Sequence, residues 1–285
     1  MLSRVSVICF AASYAVTLVL EITRLLFRSG IRGALMLGFA GAGLFAHSVV
    51  LYHRWLDFYE HASAGGSPLS SEKDWYLVAA WVLVAFYLYV MCYHPKTAIG
   101  LFILPLVLGL IGVATFVADP RPFPREAGSR VWALLHGGSI LLGSVAVLIG
   151  FASGLMYLHQ ARRLKHKLPP RRGLRLPSLE WLQKTNSRTL TLALMMIGLG
   201  ILSGIMLNAA NYGSQSGWLP WNDPVVLSTG LMFGWLFIWT VIGMAYRPAR
   251  EGRRVAYHTV ASFVFLVIVL AMVLSGMTQH GGVRS

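Results

Sequence analysis

Residues 186–209 read NSRTLTLALMMIGLGILSGIMLNA, and Arg188 is the one charge among them. At 1.5 Å per residue a helix of this length reaches roughly 36 Å, enough to cross a hydrocarbon core about 30 Å thick. Seven other stretches have the same character, and together the eight cover 4–23, 33–53, 75–93, 97–118, 130–158, 186–209, 224–246 and 254–276. The whole chain of 285 residues is 56% hydrophobic and only 12% charged, with a mean hydropathy of +0.64. Soluble domains carry about 25% charged residues. The expected fold is therefore all-α and polytopic. About eight transmembrane helices form one bundle, residues 1–285 are a single integral membrane domain, and four helices lie in residues 1–125.

Breakers fall where the segments should end. AspPro at 119–120 and the prolines at 122 and 124 close the fourth, and ProArgArgGly at 170–173 follows the fifth. The first segment has Arg24, Arg28 and Arg32 after it and only Arg4 before it. That is the reverse of a cleaved signal and predicts an uncleaved segment with its N-terminus outside.

Counting Lys and Arg on alternate sides gives an orientation. One side holds seventeen, including the run from Arg162 to Arg188, and the other holds seven. The richer side should be cytoplasmic, so both termini and the loop after residue 209 face outward. The basic run reads as a topological lock and a contact for anionic membrane lipid. It lacks the interleaved aromatics or binding fold that nucleic acid would need. Cys9 and Cys92 form no CxxC, so neither a redox pair nor a zinc knuckle is expected. Glycines at 38, 41 and 43, at 143, 150 and 154, and at 198, 200 and 204 should let helices approach closely. No internal repeat or phosphate-loop motif is apparent.

Topology sorts the nine histidines. His53, His61, His136 and His280 fall on the outer side, and His94, His159, His166 and His258 on the inner. His47 lies inside the second segment, about two turns from its outer end. An imidazole at that depth is either hydrogen-bonded to a neighbouring helix or functional, as a haem ligand or proton carrier. His136 begins HisGlyGly at a similar depth, and His280 begins a second HisGlyGly just past the last segment. Flanking glycines allow a flat ligand to come close, and neutral imidazole is a common axial ligand of haem iron.

The outer loop between the sixth and seventh segments contains GWLPWNDP at 217–224. Trp218 and Trp221 could be interfacial anchors or a stacking platform for an apolar macrocycle. Asp223 suits a helix N-cap and Pro224 the first turn after it.

With these residues the chain resembles the CcsA/CcmC/HemX-type cytochrome c assembly proteins. Their mark is a tryptophan-rich outer loop, the WWD domain, reading like W-G-x-x-W-x-W-D-P. The counterpart here lies within 211–224, with Trp218, Trp221, Asp223 and Pro224 in order and Asn222 interrupting the Trp–Asp step. LeuProSerLeuGlu (176–180), LeuMetTyrLeuHisGlnAlaArgArgLeuLys (155–165) and GluGlyArgArgValAlaTyr (251–257) also look like family stretches. The likeness makes 126–285 a CcsA-like four-helix core. AlaHisSerValValLeuTyr (46–52) resembles variants with an early membrane histidine.

The resemblance implies non-covalent haem b at the outer face, its iron held by His136 and His280 beneath the Trp218–Trp221 loop. It also suggests a second pair, His47 with His258. Depth argues against that pair, because His258 lies about 8 Å and His47 about 24 Å from the inner ends of their helices. Two axial nitrogens on one iron must be about 4 Å apart. His47 with His136 is the rival assignment. The implied partners are apocytochrome c or another assembly subunit, and the implied place is the bacterial cytoplasmic membrane. The chain would hold and present haem for attachment, as a possible component of a haem lyase system. A HemX-like haem-sensing regulator without synthase activity and a small-solute transporter are the alternatives. The absence of repeats counts against the last.

Overall fold

The computed structural model describes residues 6–24, 31–60, 71–95, 97–120, 130–167, 174–210, 220–245 and 252–274. They form eight helices: α1 (Val7–Thr23), α2 (Ile31–Glu60), α3 (Glu72–Tyr93), α4 (Gly100–Phe116), α5 (Arg130–Lys165), α6 (Leu179–Ala210), α7 (Pro224–Ala245) and α8 (Arg253–Leu274). Each expected segment is a helix. Six are long and apolar enough to cross a membrane, whereas α1 and α4 have 17 residues each. Seventeen residues rise about 26 Å, at the short edge of what spans a bilayer.

The largest departures from the expected bounds are at polar ends. Helix α5 continues through Arg162, Arg163 and Lys165, and α6 begins at Leu179, well before the apolar run. Polar residues extend a helix beyond the hydrocarbon at little cost, so hydropathy alone underestimates its length. Other ends follow local chemistry. Ser71 caps α3 by accepting from the Asp74 N–H at 3.3 Å. Ser178 accepts from the Trp181 N–H at 3.2 Å ahead of α6.

Helix α1 packs on α2 and α4, and α3 on α2 and α4. Helices α5 to α8 form a second group, in which α5 lies against α6 and α8, and α7 against α6 and α8. Helix α5 also meets α3 and α4, joining the two groups. Buried Phe10, Tyr14, Leu77, Leu83, Tyr87, Ile103 and Leu104 fill the first group. Apolar side chains such as Leu199, Leu202, Leu231, Phe237 and Val264 remain exposed, as lipid-facing surface would be.

The α5–α6 seam is made by small residues. A Cβ on Gly143 would come 2.7 Å from Ile197 Cγ1, one on Gly150 2.9 Å from Thr189 Oγ1, and one on Gly200 2.5 Å from Ile140 Cδ1. Gly198 faces Phe233 of α7, and Gly43 faces Tyr14 of α1. Gly38 and Gly41 have nothing within 4 Å of such a Cβ and serve no helix contact here.

Polar ties fasten both ends. At the lysine- and arginine-rich end, Arg24 donates to the carbonyls of Thr97 and Pro95 at 3.0 and 3.1 Å. The Ala98 N–H donates to the Arg175 carbonyl at 2.7 Å, and Arg253 donates to the Ala161 carbonyl at 3.1 Å. At the opposite end Arg54 of α2 meets Asp74 of α3 at 2.5 Å, and Glu72 accepts from the Asp119 N–H at 3.3 Å.

Candidate functional site

His136 lies near the N-terminal end of α5, half-buried against α6. Its Nδ1 is 2.7 Å from the carbonyl oxygen of Gly200. A carbonyl can only accept, so Nδ1 carries the proton in this bond. In the neutral ring the lone pair is then on Nε2. A backbone carbonyl that orients one ring nitrogen is the usual support for a histidine that binds metal through the other.

The notch that receives the ring is made by glycine. A Cβ on Gly204 would be 2.8 Å from His136 Nδ1 and 2.9 Å from Cε1. The next residue, Gly137, takes the edge of Trp75 from α3; a Cβ there would be 2.6 Å from Trp75 Cζ2. His136 thus sits where α3, α5 and α6 meet. By sequence Gly200 and Gly204 are expected only as helix contacts, and nothing marks Trp75. Their signal was the four-residue spacing of Gly200 and Gly204, which puts both on one face of α6, but nothing in it pointed to His136.

Asp223 is buried, and its Oδ1 accepts from the Val225 N–H at 2.9 Å. It caps α7, with Pro224 as the first helical residue. The interrupted Trp–Asp step therefore still ends in a working cap. Trp221 is 55% exposed beside it. Trp218 and His280 lie outside the described residues.

His47 is fully buried. Its ring stacks on Phe10 of α1 at a centroid separation of 4.0 Å and an interplanar angle of 2°. Tyr14 Oη is 3.3 Å from its Nδ1, and its Nε2 is buried with no hydrogen-bond partner among the described residues. The stacked, fully buried ring presents no open edge.

His258 is half-buried on α8 and faces α7. Its ring lies 3.6 Å from Trp239 and 5.8 Å from Trp235, centroid to centroid. Thus His47 turns to α1, His136 to α6 and His258 to α7. Among the described residues no cluster of three or more His, Cys, Asp or Glu side chains is built to hold a metal ion.

These features define a polytopic all-α membrane protein with imidazoles placed at helix joints. Residues 69–280 match the family model described as cytochrome c assembly protein. The chain belongs to that cytochrome c assembly family. The match takes in α3 to α8 and leaves out α1 and the whole of α2, with His47. No curated protein and no solved structure matches the chain.

Proposed function

We propose that this protein holds haem b non-covalently at the extracytoplasmic face of a bacterial cytoplasmic membrane and presents it for attachment to apocytochrome c. His136 and His280 are the axial ligands in this reading, and Trp218 and Trp221 flank the macrocycle. Asp223 sets the loop by capping α7. The observation that carries it is the His136–Gly200 bond inside the Gly204 notch, in a chain of the cytochrome c assembly family.

The porphyrin brings the electronics of the iron and the vinyl groups that accept thiols; the protein binds and orients. Gly200 fixes which imidazole nitrogen faces the iron. Gly204 leaves the ring room against α6, and Gly137 lets Trp75 of α3 pack on the next residue. The reacting thiols belong to the apocytochrome partner: Cys92 is near the C-terminal end of α3, at the other side of the bundle from His136, and Cys9 is on α1, which packs on α2 and α4.

Haem titration of the purified full chain is the test. A Soret band should appear at about one haem per protein and weaken at least tenfold in affinity in His136→Ala and in His280→Ala. A chain that stays colourless with added haem contradicts the reading and favours a solute transporter. The interrupted Trp–Asp step keeps a second reading alongside it, a haem-sensing regulator with the same ligands. Loss of mature cytochromes c from a deletion strain separates assembly from sensing.

A further inference from the structure

A cleft opens between α6, α7 and α8 at the lysine- and arginine-rich end of the bundle. Its walls include Ser187 and Thr191 of α6, Trp235, Trp239 and Thr240 of α7, and His258 of α8. Three features set it apart from ordinary lipid-facing surface. The Trp235 Nε1–H is buried there without a hydrogen-bond partner among the described residues. A buried indole N–H normally finds an acceptor, and none of the described residues supplies one. Hydroxyl and imidazole groups line the cleft within the span of the helices; the Thr191 hydroxyl donates to the Ser187 carbonyl at 3.0 Å and keeps its oxygen lone pairs as acceptors.

Charge supplies the third feature. Lys184 and Arg188 precede Ser187 and Thr191 by three residues each, and Arg254 precedes His258 by four. That spacing places them on the same helix faces, one turn nearer the helix ends. All three are exposed. Glu180 pairs with Lys184 at 2.7 Å, so the rim keeps an excess of two positive charges, three less one. His258 lies five residues into α8 and Thr240 five from the end of α7, each about 8 Å inside. The cleft therefore offers cations at headgroup level, hydrogen-bond donors at the level of the glycerol esters, and indole faces for acyl chain.

We infer that this cleft seats one anionic phospholipid, its phosphate on Arg188 and Arg254 and an ester carbonyl accepting from Trp235. Basic pockets between membrane helices take acidic headgroups on the same grounds. The site is independent of His136 and does not rest on the haem reading. Bound lipid would hold α6, α7 and α8 together at the end where α7 and α8 have few polar ties.

Native mass spectrometry of the full chain, released from neutral detergent with short-chain phosphatidylglycerol or phosphatidylcholine of equal chain length, tests it. One retained phosphatidylglycerol is expected, at least tenfold preferred over phosphatidylcholine. The preference should fall at least fivefold in Arg188→Gln/Arg254→Gln, and retention a few-fold in Trp235→Phe, which keeps the ring and loses the donor. Lys184→Gln, at an already paired cation, should change less than the double variant. Equal retention of both lipids, or unchanged preference in the double variant with its melting temperature intact, overturns the assignment. So does a Soret band that requires His258 and expels the lipid, since the cleft would then belong to porphyrin.

Discussion

At the scale of single residues, the candidate site depends on atoms that are missing as much as on those present. Gly204 leaves the space that the His136 ring occupies. Gly204→Ala puts a methyl 2.8 Å from Nδ1 and must move the ring off the Gly200 carbonyl. Haem affinity should fall about tenfold or more, read by Soret titration. A variant that binds like the wild type would show that the notch does not position the ligand. Asp223 offers a cleaner separation of roles. Asp223→Ala should cost about 1 kcal/mol by loss of the cap, and Asp223→Asn should recover most of it. If melting shows recovery in Asp223→Asn while haem binding stays weak, the carboxylate does more than cap α7.

At the scale of elements, two joints should respond differently to substitution. Helices α5 and α8 touch through Gly154, where a Cβ would collide with Thr259 Oγ1 and lie 3.1 Å from the Ala256 carbonyl. Backbone cannot step aside as a flexible side chain can. Gly154→Ala should therefore destabilise by about 1–3 kcal/mol, measurable as a lower melting temperature in detergent. Gly38→Ala, with open space around it, should leave the melting temperature unchanged or slightly raised. Most of this level was legible in the sequence. Apolar runs located all eight helices, and AspPro at 223–224 marked the start of α7. The polar extensions of α5 and α6 were not legible, because hydropathy reports solvent and not helical hydrogen bonding. Nor could a glycine count tell Gly204, which receives His136, from Gly41, which receives nothing.

Helix α1 shows how such joints bring distant residues together. Glu21 is buried against the start of α4, where a Cβ on Gly100 would be 2.7 Å from its Oε1. Tyr87 Oη donates to Oε1 at 3.3 Å, and Arg24 lies 3.8 Å from Oε2. Sequence alone shows Glu21 and Arg24 three residues apart, as neighbours on one helix. It did not indicate Tyr87 or Gly100, 66 residues from Glu21 in the first case, because tertiary contacts leave no local pattern.

At the scale of the whole molecule, the lysine and arginine asymmetry is the quantity that sets orientation. Alkaline phosphatase fused after residue 285 should be active outside the cytoplasm, and a fusion at residue 170 inactive. The opposite result would put His136 on the cytoplasmic side and end the presentation reading. The eight helices also distribute the imidazoles unevenly, with His47, His136 and His258 turned to α1, α6 and α7. His47 and His258 thus turn to helices other than α6, and His280 lies outside the described residues.

The central claim is that His136 supplies an axial nitrogen to haem iron. Electron paramagnetic resonance of the ferric, haem-loaded full chain, compared with His136→Gly before and after adding imidazole, tests it most directly. The account predicts a low-spin bis-imidazole signal in the wild type, its loss in His136→Gly and its return with free imidazole. An unchanged low-spin signal in His136→Gly without imidazole would contradict it.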